Sequence, residues 1–278
     1  MIRIKQIFLR LLKIIQKSEM RILPGNLAFF LVLSVIPIIT LIGFTASLFS
    51  ISIDSVINFM NESFPKEVSQ LLIPFIDGRG FDINIGIFML TGFIVASNGP
   101  NSIIVSSNTL YNINNSDYLK RRIKALFLTI ILVLLFIFIV IVLAFGNTII
   151  KTVLDIGILK NISQEFYYIY VLLKWPIAFI LIYFTIKLVY TIAPDFNISS
   201  RFVTKGAIFT TIGWIFITAI YSYYVSNIAN YDIFYGSLSN IIVMMMWIYF
   251  LAYILVLGIA INASQYDLEK NVTNNIEQ

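Results

Sequence analysis

The 278-residue chain contains no cysteine and no histidine. Without cysteine it has no disulfide framework, thiolate nucleophile or thiolate metal site, and without histidine it has no imidazole catalyst or metal ligand. Charged residues make up only 12% of the chain, whereas soluble domains average roughly 25%. Apolar residues make up 59%, and the mean hydropathy is +0.91. These proportions exclude an ordinary soluble domain and predict a polytopic membrane protein.

Long apolar runs predict an all-α membrane protein with six transmembrane helices. The predicted spans cover about residues 26–50, 83–112, 125–150, 166–192, 206–228 and 238–262. None of them contains Asp or Glu, so a proton relay built from titrating side chains has no candidates within the spans. We expect one membrane domain over residues 25–264 and a cytoplasmic tail over residues 265–278.

The first 24 residues are expected to form a basic amphipathic helix in the membrane interface. Ile4, Phe8, Leu11 and Ile15 share one face, and lysines and arginines occupy much of the remainder. Such a helix is attracted to anionic lipid headgroups. Charges recur too often before Pro24 for a signal-peptide core. The basic face alone does not indicate a nucleic-acid partner.

The distribution of Lys and Arg orients the predicted spans. Thirteen lie in the N-terminal segment, the C-terminal tail and the two connections around Lys120 and Lys205, whereas four lie in the other three connections. Because positive charge accumulates on the cytoplasmic side, we expect both termini on the cytoplasmic side of the cell membrane.

The second predicted span is interrupted by Asn98-Gly99-Pro100-Asn101. Its apolar part before the interruption reaches only about 22 Å as a helix, whereas the hydrocarbon core is about 30 Å thick. Polar groups beyond the interruption share one helical face, at Asn101, Ser102, Ser106, Thr109 and Asn112. Two interpretations remain. The span is a discontinuous helix whose inner half faces water or a polar interior, or a simple kink with Asn98 as N-cap and the inner half in the cytosol.

Two other spans contribute to a candidate polar path. Pro37 leaves the carbonyl of Leu33 without its usual partner, and Ser34 is close enough to help satisfy it. Lys174 is either an intramembrane charge that meets an anionic headgroup or an interfacial anchor beside Trp175. The path residues are Ser34, Pro37, Ser97, Asn98, Gly99, Pro100, Asn101, Ser102, Ser106 and Lys174.

Two motifs near the sixth span have local structural interpretations. Gly236 after Tyr235 indicates a turn, with Ser237 as the N-cap of the sixth helix. Gly258 and Asn262 share a face, which allows close helix contact and an interhelical hydrogen bond.

Short segments between about residues 20 and 265 also resemble a known family. They are Leu33-Ser34-Val35-Ile36-Pro37, Asn108 to Tyr111, Pro194-Asp195, Tyr235-Gly236-Ser237-Leu238, Trp247-Ile248-Tyr249 and Gly258 to Ala263. In this order they resemble the YihY/BrkB family of bacterial inner-membrane proteins. The resemblance implies six spans with both ends cytoplasmic. It marks Tyr235, Gly236, Ser237, Trp247, Gly258 and Asn262 as motif residues. Ala260 stands where the family usually has Glu, so a mechanism that requires that carboxylate is not implied here.

Members of that family were once labelled ribonuclease BN, but the residues of this chain do not favour an enzyme. Its acids are scattered, with no spacing that would hold a metal, and there is no Walker loop and no nucleophile elbow. We therefore expect no enzyme activity, no cofactor and no bound metal.

Two functional hypotheses remain. In the first, the protein translocates or presents a lipid or other amphiphile across the membrane without an ATP motif of its own. In the second, it is a non-transporting envelope scaffold that binds lipid or another membrane protein through its basic N-terminal helix and the aromatic residues Trp247, Tyr249 and Tyr253. A polar face exposed to water would favour the first hypothesis, and a dry, tightly packed bundle would favour the second.

Overall fold

The computed structural model describes residues 13–48, 53–76, 83–140, 163–228 and 231–276, and these residues contain helices and no strand. The helices are α1 (Glu19–Leu48), α2 (Ile53–Ser63), α3 (Lys66–Leu72), α4 (Ile83–Ala96), α5 (Asn98–Leu110), α6 (Tyr118–Val140), α7 (Ser163–Ile192), α8 (Thr204–Asn227), α9 (Tyr231–Tyr235) and α10 (Ser239–Ile276). Single 3₁₀ turns cover Ile73–Phe75 and Gly236–Leu238.

Several helices have the length and composition needed to cross a membrane. Among the described residues these segments are Glu19–Thr40, Thr204–Asn227 and Ser239–Asp267, with a shorter apolar helix over Pro176–Ile192. The outer face of α6 exposes large apolar side chains, including Phe127, Leu134 and Phe138, which is expected of a surface that contacts lipid. The fold is therefore that of an all-helical membrane protein, as the composition predicts.

Helix α1 begins at Glu19 and continues without interruption through Pro24. Its start therefore lies inside the segment assigned by sequence to a separate interfacial helix. Pro24 is only the sixth residue of α1, so its missing N–H deprives one carbonyl, that of Met20, of its partner. Before Glu19, residues 13–15 of the predicted amphipathic helix are helical and residues 16–18 form a turn, and residues 1–12 lie outside the described residues.

A single residue, Ser97, separates α4 from α5. Its backbone stays in the right-handed helical region, with φ −69° and ψ −7°. The N–H of Ser97 donates to the Phe93 carbonyl at 3.1 Å, and the N–H of Asn101 donates to the Ser97 carbonyl at 3.0 Å. Pro100 lies in the first turn of α5, where a missing N–H costs little. Backbone hydrogen bonds of the helical type therefore continue from α4 into α5 across Ser97.

The N-cap position of α5 belongs to Ser97, so the prediction of Asn98 as N-cap was wrong. Ser97 makes no side-chain capping bond, and its hydroxyl instead donates to the Ile94 carbonyl at 2.7 Å. Because its backbone is helical, its side chain leans toward the preceding turn. That carbonyl is therefore the acceptor it reaches.

Helix α10 is the centre of the bundle. It packs against α1, α3, α5 and α8. Small and branched side chains on its inner faces are buried, among them Val243, Ala252, Val256 and Ile259. On the α2–α3 side, the ring of Phe64 lies 5.2 Å from the ring of Trp247.

Candidate functional site

The polar face of α5 meets the basic start of α6. The Oδ1 atom of Asn98 accepts a hydrogen bond from Arg122 Nη1 at 2.7 Å, and the Oδ1 atom of Asn101 accepts one from Arg121 Nε at 3.2 Å. Each arginine also donates to a backbone carbonyl, Arg122 to Ile94 at 2.6 Å and Arg121 to Ser116 at 3.1 Å. The interruption between α4 and α5 is therefore bonded directly to the basic segment that follows α5.

A second polar cluster joins the other end of α5 to the end of α7. Asn108 is fully buried and forms two hydrogen bonds with Asp195: its Nδ2 donates to Oδ2 at 2.7 Å, and its Oδ1 accepts from the Asp195 N–H at 2.8 Å. Lys124 forms an ion pair with Asp195 Oδ1 at 2.8 Å. The same ammonium donates to the carbonyls of Ala193 at 2.9 Å and Pro194 at 2.7 Å. This cluster connects α5, α6 and the segment after α7.

The environment of Asp195 favours its charged form. Partial burial acts to raise the pKa of the carboxyl, but hydrogen bonds from Lys124, the Ser116 N–H and Asn108 outweigh it. The pKa of Asp195 consequently lies well below its usual range. Asp195 is therefore a charged structural anchor at neutral pH and has no proton to supply to a reaction.

Between these two clusters, α5 carries serine hydroxyls that point into the protein. Ser102, Ser106 and Ser107 are all at least 98% buried. Their Oγ atoms have no hydrogen-bond partner among the described residues. Buried hydroxyls are nearly always bonded, and the helix packs here against α1, α6 and α10. Of the predicted polar face, Ser102 and Ser106 thus lie in the bundle interior. Asn101 and Thr109 are half-buried, and Asn112 is exposed.

Helix α1 approaches α4 and α5 at the interruption. A Cβ on Gly99 would lie 3.1 Å from a methyl of Leu31 and 3.4 Å from the Ser34 hydroxyl, and a Cβ on Gly92 would lie 3.6 Å from Pro37. The prediction that Ser34 satisfies the carbonyl of Leu33 was wrong: its hydroxyl donates to the Phe30 carbonyl at 2.6 Å and lies 3.4 Å from the Val95 carbonyl. A helical serine reaches back to the carbonyl four residues earlier.

Two other residues of the predicted polar path are Lys174 and Pro100. Lys174 belongs to α7, but its side chain lies outside the described residues. Pro100 is buried in the first turn of α5. Across the described part of the chain, no group of three or more acidic residues is placed to hold a metal ion.

A sequence profile of the family described as Virulence factor BrkB matches residues 11–277. The chain belongs to the BrkB family. This confirms the resemblance seen in the sequence. The YfkH protein of Bacillus subtilis, which is named as ribonuclease-like, is 30% identical over 251 residues, 88% of this chain and 90% of its own length.

Two relatives carry the name UPF0761 membrane protein. The one from Psychromonas ingrahamii is 30% identical over 97 residues, 35% of this chain and 33% of its own. The one from Glaesserella parasuis is 24% identical over 193 residues, 69% of this chain and 64% of its own. No solved structure matches the chain.

The glycine motif of this BrkB-family chain lies where α8 crosses α10. A Cβ on Gly206 would collide with the Gly258 carbonyl and the Asn262 side chain, and a Cβ on Gly258 would collide with the hydroxyls of Thr210 and Tyr190. Asn262 Oδ1 accepts the Gly206 N–H at 2.7 Å. The two helices therefore touch through their backbones, which requires small residues at the crossing.

Hydroxyl and indole groups continue this contact along α10. Tyr190 OH lies 2.6 Å from Thr210 Oγ1 and donates to the Leu255 carbonyl at 2.8 Å. Trp214 Nε1 donates to the Leu251 carbonyl at 2.9 Å, and Tyr221 OH donates to the Val243 carbonyl at 3.0 Å. The crossing in the BrkB-family protein is thus held by polar side chains bonded to helix carbonyls.

The remaining motif residues have separate environments. Trp247 is buried and donates to Thr218 Oγ1 at 3.1 Å, so its indole is not free to bind a partner. Tyr235 is about half exposed and stacks on Tyr231 at 6.3 Å. Gly236 has φ +51°, the left-handed conformation that glycine adopts most readily, and begins a 3₁₀ turn before α10. Ser237 lies within this turn, two residues before α10 begins at Ser239, so the prediction of Ser237 as the N-cap of that helix was wrong.

The Asn108–Asp195–Lys124 cluster was not predicted from the sequence. Asn108 and Asp195 each occur in a segment that carries the family resemblance, and this was the available signal. It could not show that residues 87 positions apart in the chain are bonded.

Proposed function

We propose that this BrkB-family membrane protein translocates or presents the headgroup of a lipid or other amphiphile along the polar face of α5. The proposal assumes six spans, α1, α4–α5, α6, α7, α8 and α10. The second span consists of two helical segments that meet at Ser97, and both termini lie on the cytoplasmic side of the inner membrane. The excess of positive charge near α6, α8 and the termini supports that orientation.

One observation carries the proposal. The hydroxyls of Ser102, Ser106 and Ser107 are buried without a hydrogen-bond partner among the described residues. In a membrane interior a polar group without a partner is costly. Three such groups on one short helix indicate that a polar molecule can bond to them when the surrounding helices open. A headgroup entering beside Asn98 and Asn101 would meet these hydroxyls next.

The chain offers no means of its own to drive such movement. It has no Walker loop, so movement would follow a gradient or depend on a partner. We propose no enzyme activity. The ribonuclease-like name of YfkH describes that relative, and the acids described in this chain do not gather into a metal-binding group.

The test is leaflet translocation of fluorescent anionic and zwitterionic lipids in vesicles that contain the purified protein. The variant Ser102→Ala/Ser106→Ala removes two hydroxyls without adding bulk. Losing one or two hydrogen bonds of about 1 kcal/mol each predicts roughly 5- to 30-fold slower translocation. The control is Thr211→Val, which removes a buried hydroxyl that already donates to the Ala207 carbonyl at 2.8 Å in α8.

Stability separates a functional effect from a structural one. Ser102→Ala/Ser106→Ala should leave the unfolding temperature unchanged or raise it, because the lost hydroxyls have no partner to lose among the described residues. Translocation no faster than in empty vesicles, across several headgroups, would refute the proposal. So would equal rates in the wild-type protein and the double variant.

A second candidate function is a non-transporting envelope scaffold. The closely packed α8–α10 crossing, in which backbone touches backbone at Gly206 and Gly258, favours a rigid bundle. By the criterion given with the two hypotheses, the burial of Ser102 and Ser106 favours the scaffold too. Its partners would be anionic lipids at the N-terminal segment and a second membrane protein. Site-specific cross-linking from exposed α8 positions such as Phe216 would test it. Wild-type vesicles without translocation, together with one reproducible cross-linked partner, would favour the scaffold.

A further inference from the structure

Arg121 and Arg122, near the start of α6, both bond to asparagines in the first turn of α5. Arg121 bonds to Asn101, and Arg122 bonds to Asn98. These asparagines are three residues apart on one helix, so their side chains are neighbours, about 5–6 Å apart at Cβ. The two guanidinium groups are therefore held within about one helical turn of each other.

All the acceptors that hold these two arginines are neutral. They are two asparagine amides and two backbone carbonyls, those of Ser116 and Ile94. Among the described residues, neither guanidinium has a carboxylate within ion-pair distance. Lys124, in the same helix, is different because it is paired with Asp195 at 2.8 Å. Two half-buried positive charges on α6 thus lack a counter-ion within the described residues.

Each guanidinium also has unused donors. A guanidinium has five N–H groups, and the described hydrogen bonds use two nitrogens of each arginine. The asparagine Nδ2 amides are additional donors, since only their Oδ1 atoms accept the arginines. Adjacent guanidiniums with free donors match the geometry and charge of a phosphate group, whose oxygens accept paired N–H bonds.

From this arrangement we infer an anion site formed by Arg121, Arg122, Asn98 and Asn101 that binds the phosphate group of an anionic lipid headgroup. The inference rests on the proposed function only in naming a lipid as the source of the phosphate. The site adjoins the start of the serine-lined face of α5, since Ser102 follows Asn101 directly. It would select phosphate-bearing amphiphiles before they reach the buried hydroxyls.

The test measures binding by the full-length protein in a neutral detergent, using isothermal titration. The probes are short-chain phosphatidylglycerol, short-chain phosphatidylcholine and inorganic phosphate. We expect phosphatidylglycerol to bind more tightly than phosphatidylcholine. Arg121→Gln/Arg122→Gln should weaken that binding by at least about tenfold, because charge-assisted hydrogen bonds are lost. Lys120→Gln removes an exposed charge from the same segment and should change the affinity little.

Asn98→Asp keeps the test decisive if the double variant folds poorly. It places a carboxylate beside Arg122 Nη1, where the amide oxygen now lies at 2.7 Å. The new ion pair should leave the unfolding temperature unchanged or higher, while the added negative charge weakens phosphatidylglycerol binding by about tenfold or more. If Asn98→Asp bound phosphatidylglycerol with full affinity, the proposed anion site would be overturned.

The remaining outcomes separate this inference from the proposed function. Binding of inorganic phosphate with the same pattern of variants, and no binding of lipid, supports the anion site and counts against a lipid as its ligand. Variant-dependent lipid binding without leaflet translocation supports the site and counts against transport. No binding of any probe by the wild-type protein, or equal weakening by Lys120→Gln, overturns the inference.

Discussion

Lys124 and Asp195 form an ion pair at 2.8 Å that ties the first turns of α6 to the segment after α7. The carboxylate also accepts hydrogen bonds from Asn108 and from the Ser116 N–H, which lies 3.0 Å away. Its side chain is 10% exposed and that of Lys124 is 23% exposed. The pair is thus largely shielded from water, and it joins parts of the chain that are 71 residues apart.

Replacing Asp195 should destabilise the protein in a pH-dependent way. Asp195→Asn leaves the largely shielded Lys124 ammonium without its counter-charge, at a cost on the order of 2 kcal/mol at pH 7. Because the pKa of Asp195 is lowered in the folded protein, the stabilisation exists above the unfolded pKa of about 3.9 and is lost as the pH falls below it.

Thermal unfolding in detergent between pH 3 and pH 7 would measure this effect. The gap between the wild-type and Asp195→Asn unfolding temperatures should be widest near neutral pH and should narrow below about pH 4. Asp117→Asn is the control, because Asp117 is exposed and its ion-pair energy is expected to be small. A difference in unfolding temperature that stays constant from pH 3 to pH 7 would contradict the stabilising ion pair between charged Asp195 and Lys124.

The α8–α10 crossing should not tolerate a side chain. Gly206→Ala would force a methyl group into the Gly258 carbonyl and Asn262, and we expect a loss of about 2–3 kcal/mol from backbone overpacking. Gly25→Ala is the matched control, since no atom lies within 4 Å of the Cβ it would add. As a helical Gly→Ala change it should stabilise the protein by about 0.5–1 kcal/mol. Chemical unfolding of both variants would show whether their effects have opposite signs.

The hydroxyl of Tyr190 should make a contribution of its own to stability. Tyr190→Phe removes a buried group that bonds Thr210 and the Leu255 carbonyl, and it leaves that carbonyl without this donor. The expected loss is about 1–2 kcal/mol in unfolding free energy. Tyr223→Phe, at a side chain that is 65% exposed, should have little effect. Similar losses in the two variants would contradict the interhelical role.

The orientation of the bundle can be tested directly because the chain contains no cysteine. Lys120→Cys and Gln70→Cys each introduce a single thiol at an exposed position. If positive charge orients the spans, a membrane-impermeant maleimide should label Gln70→Cys in intact cells and should label Lys120→Cys only after the membrane is opened. Labelling of Lys120→Cys in intact cells would reverse the proposed topology.

Some of the candidate site was accessible from the sequence. The interruption at Asn98-Gly99-Pro100-Asn101 and the common face of Ser102 and Ser106 follow from residue type and helical spacing. The hydrogen-bond partners of the candidate-site residues could not be predicted from the sequence. Ser34 was expected to help satisfy the Leu33 carbonyl, and in one of the two interpretations of the interruption Asn98 was the N-cap of α5. In the structure Ser34 reaches back to Phe30, and Asn98 accepts a hydrogen bond from Arg122. Several acceptors were within reach of each side chain, and packing selected one.

The sequence by itself determined that the protein is helical, lies in a membrane and belongs to the BrkB family. Apolar length, scarcity of charge and short motifs are properties of each segment, whatever its neighbours are. Only the tertiary structure decided that Lys124 meets Asp195, that Arg121 and Arg122 of α6 bond to Asn101 and Asn98 of α5, and that Gly206 touches Gly258. These contacts join residues distant in the chain, and they depend on how whole helices pack together.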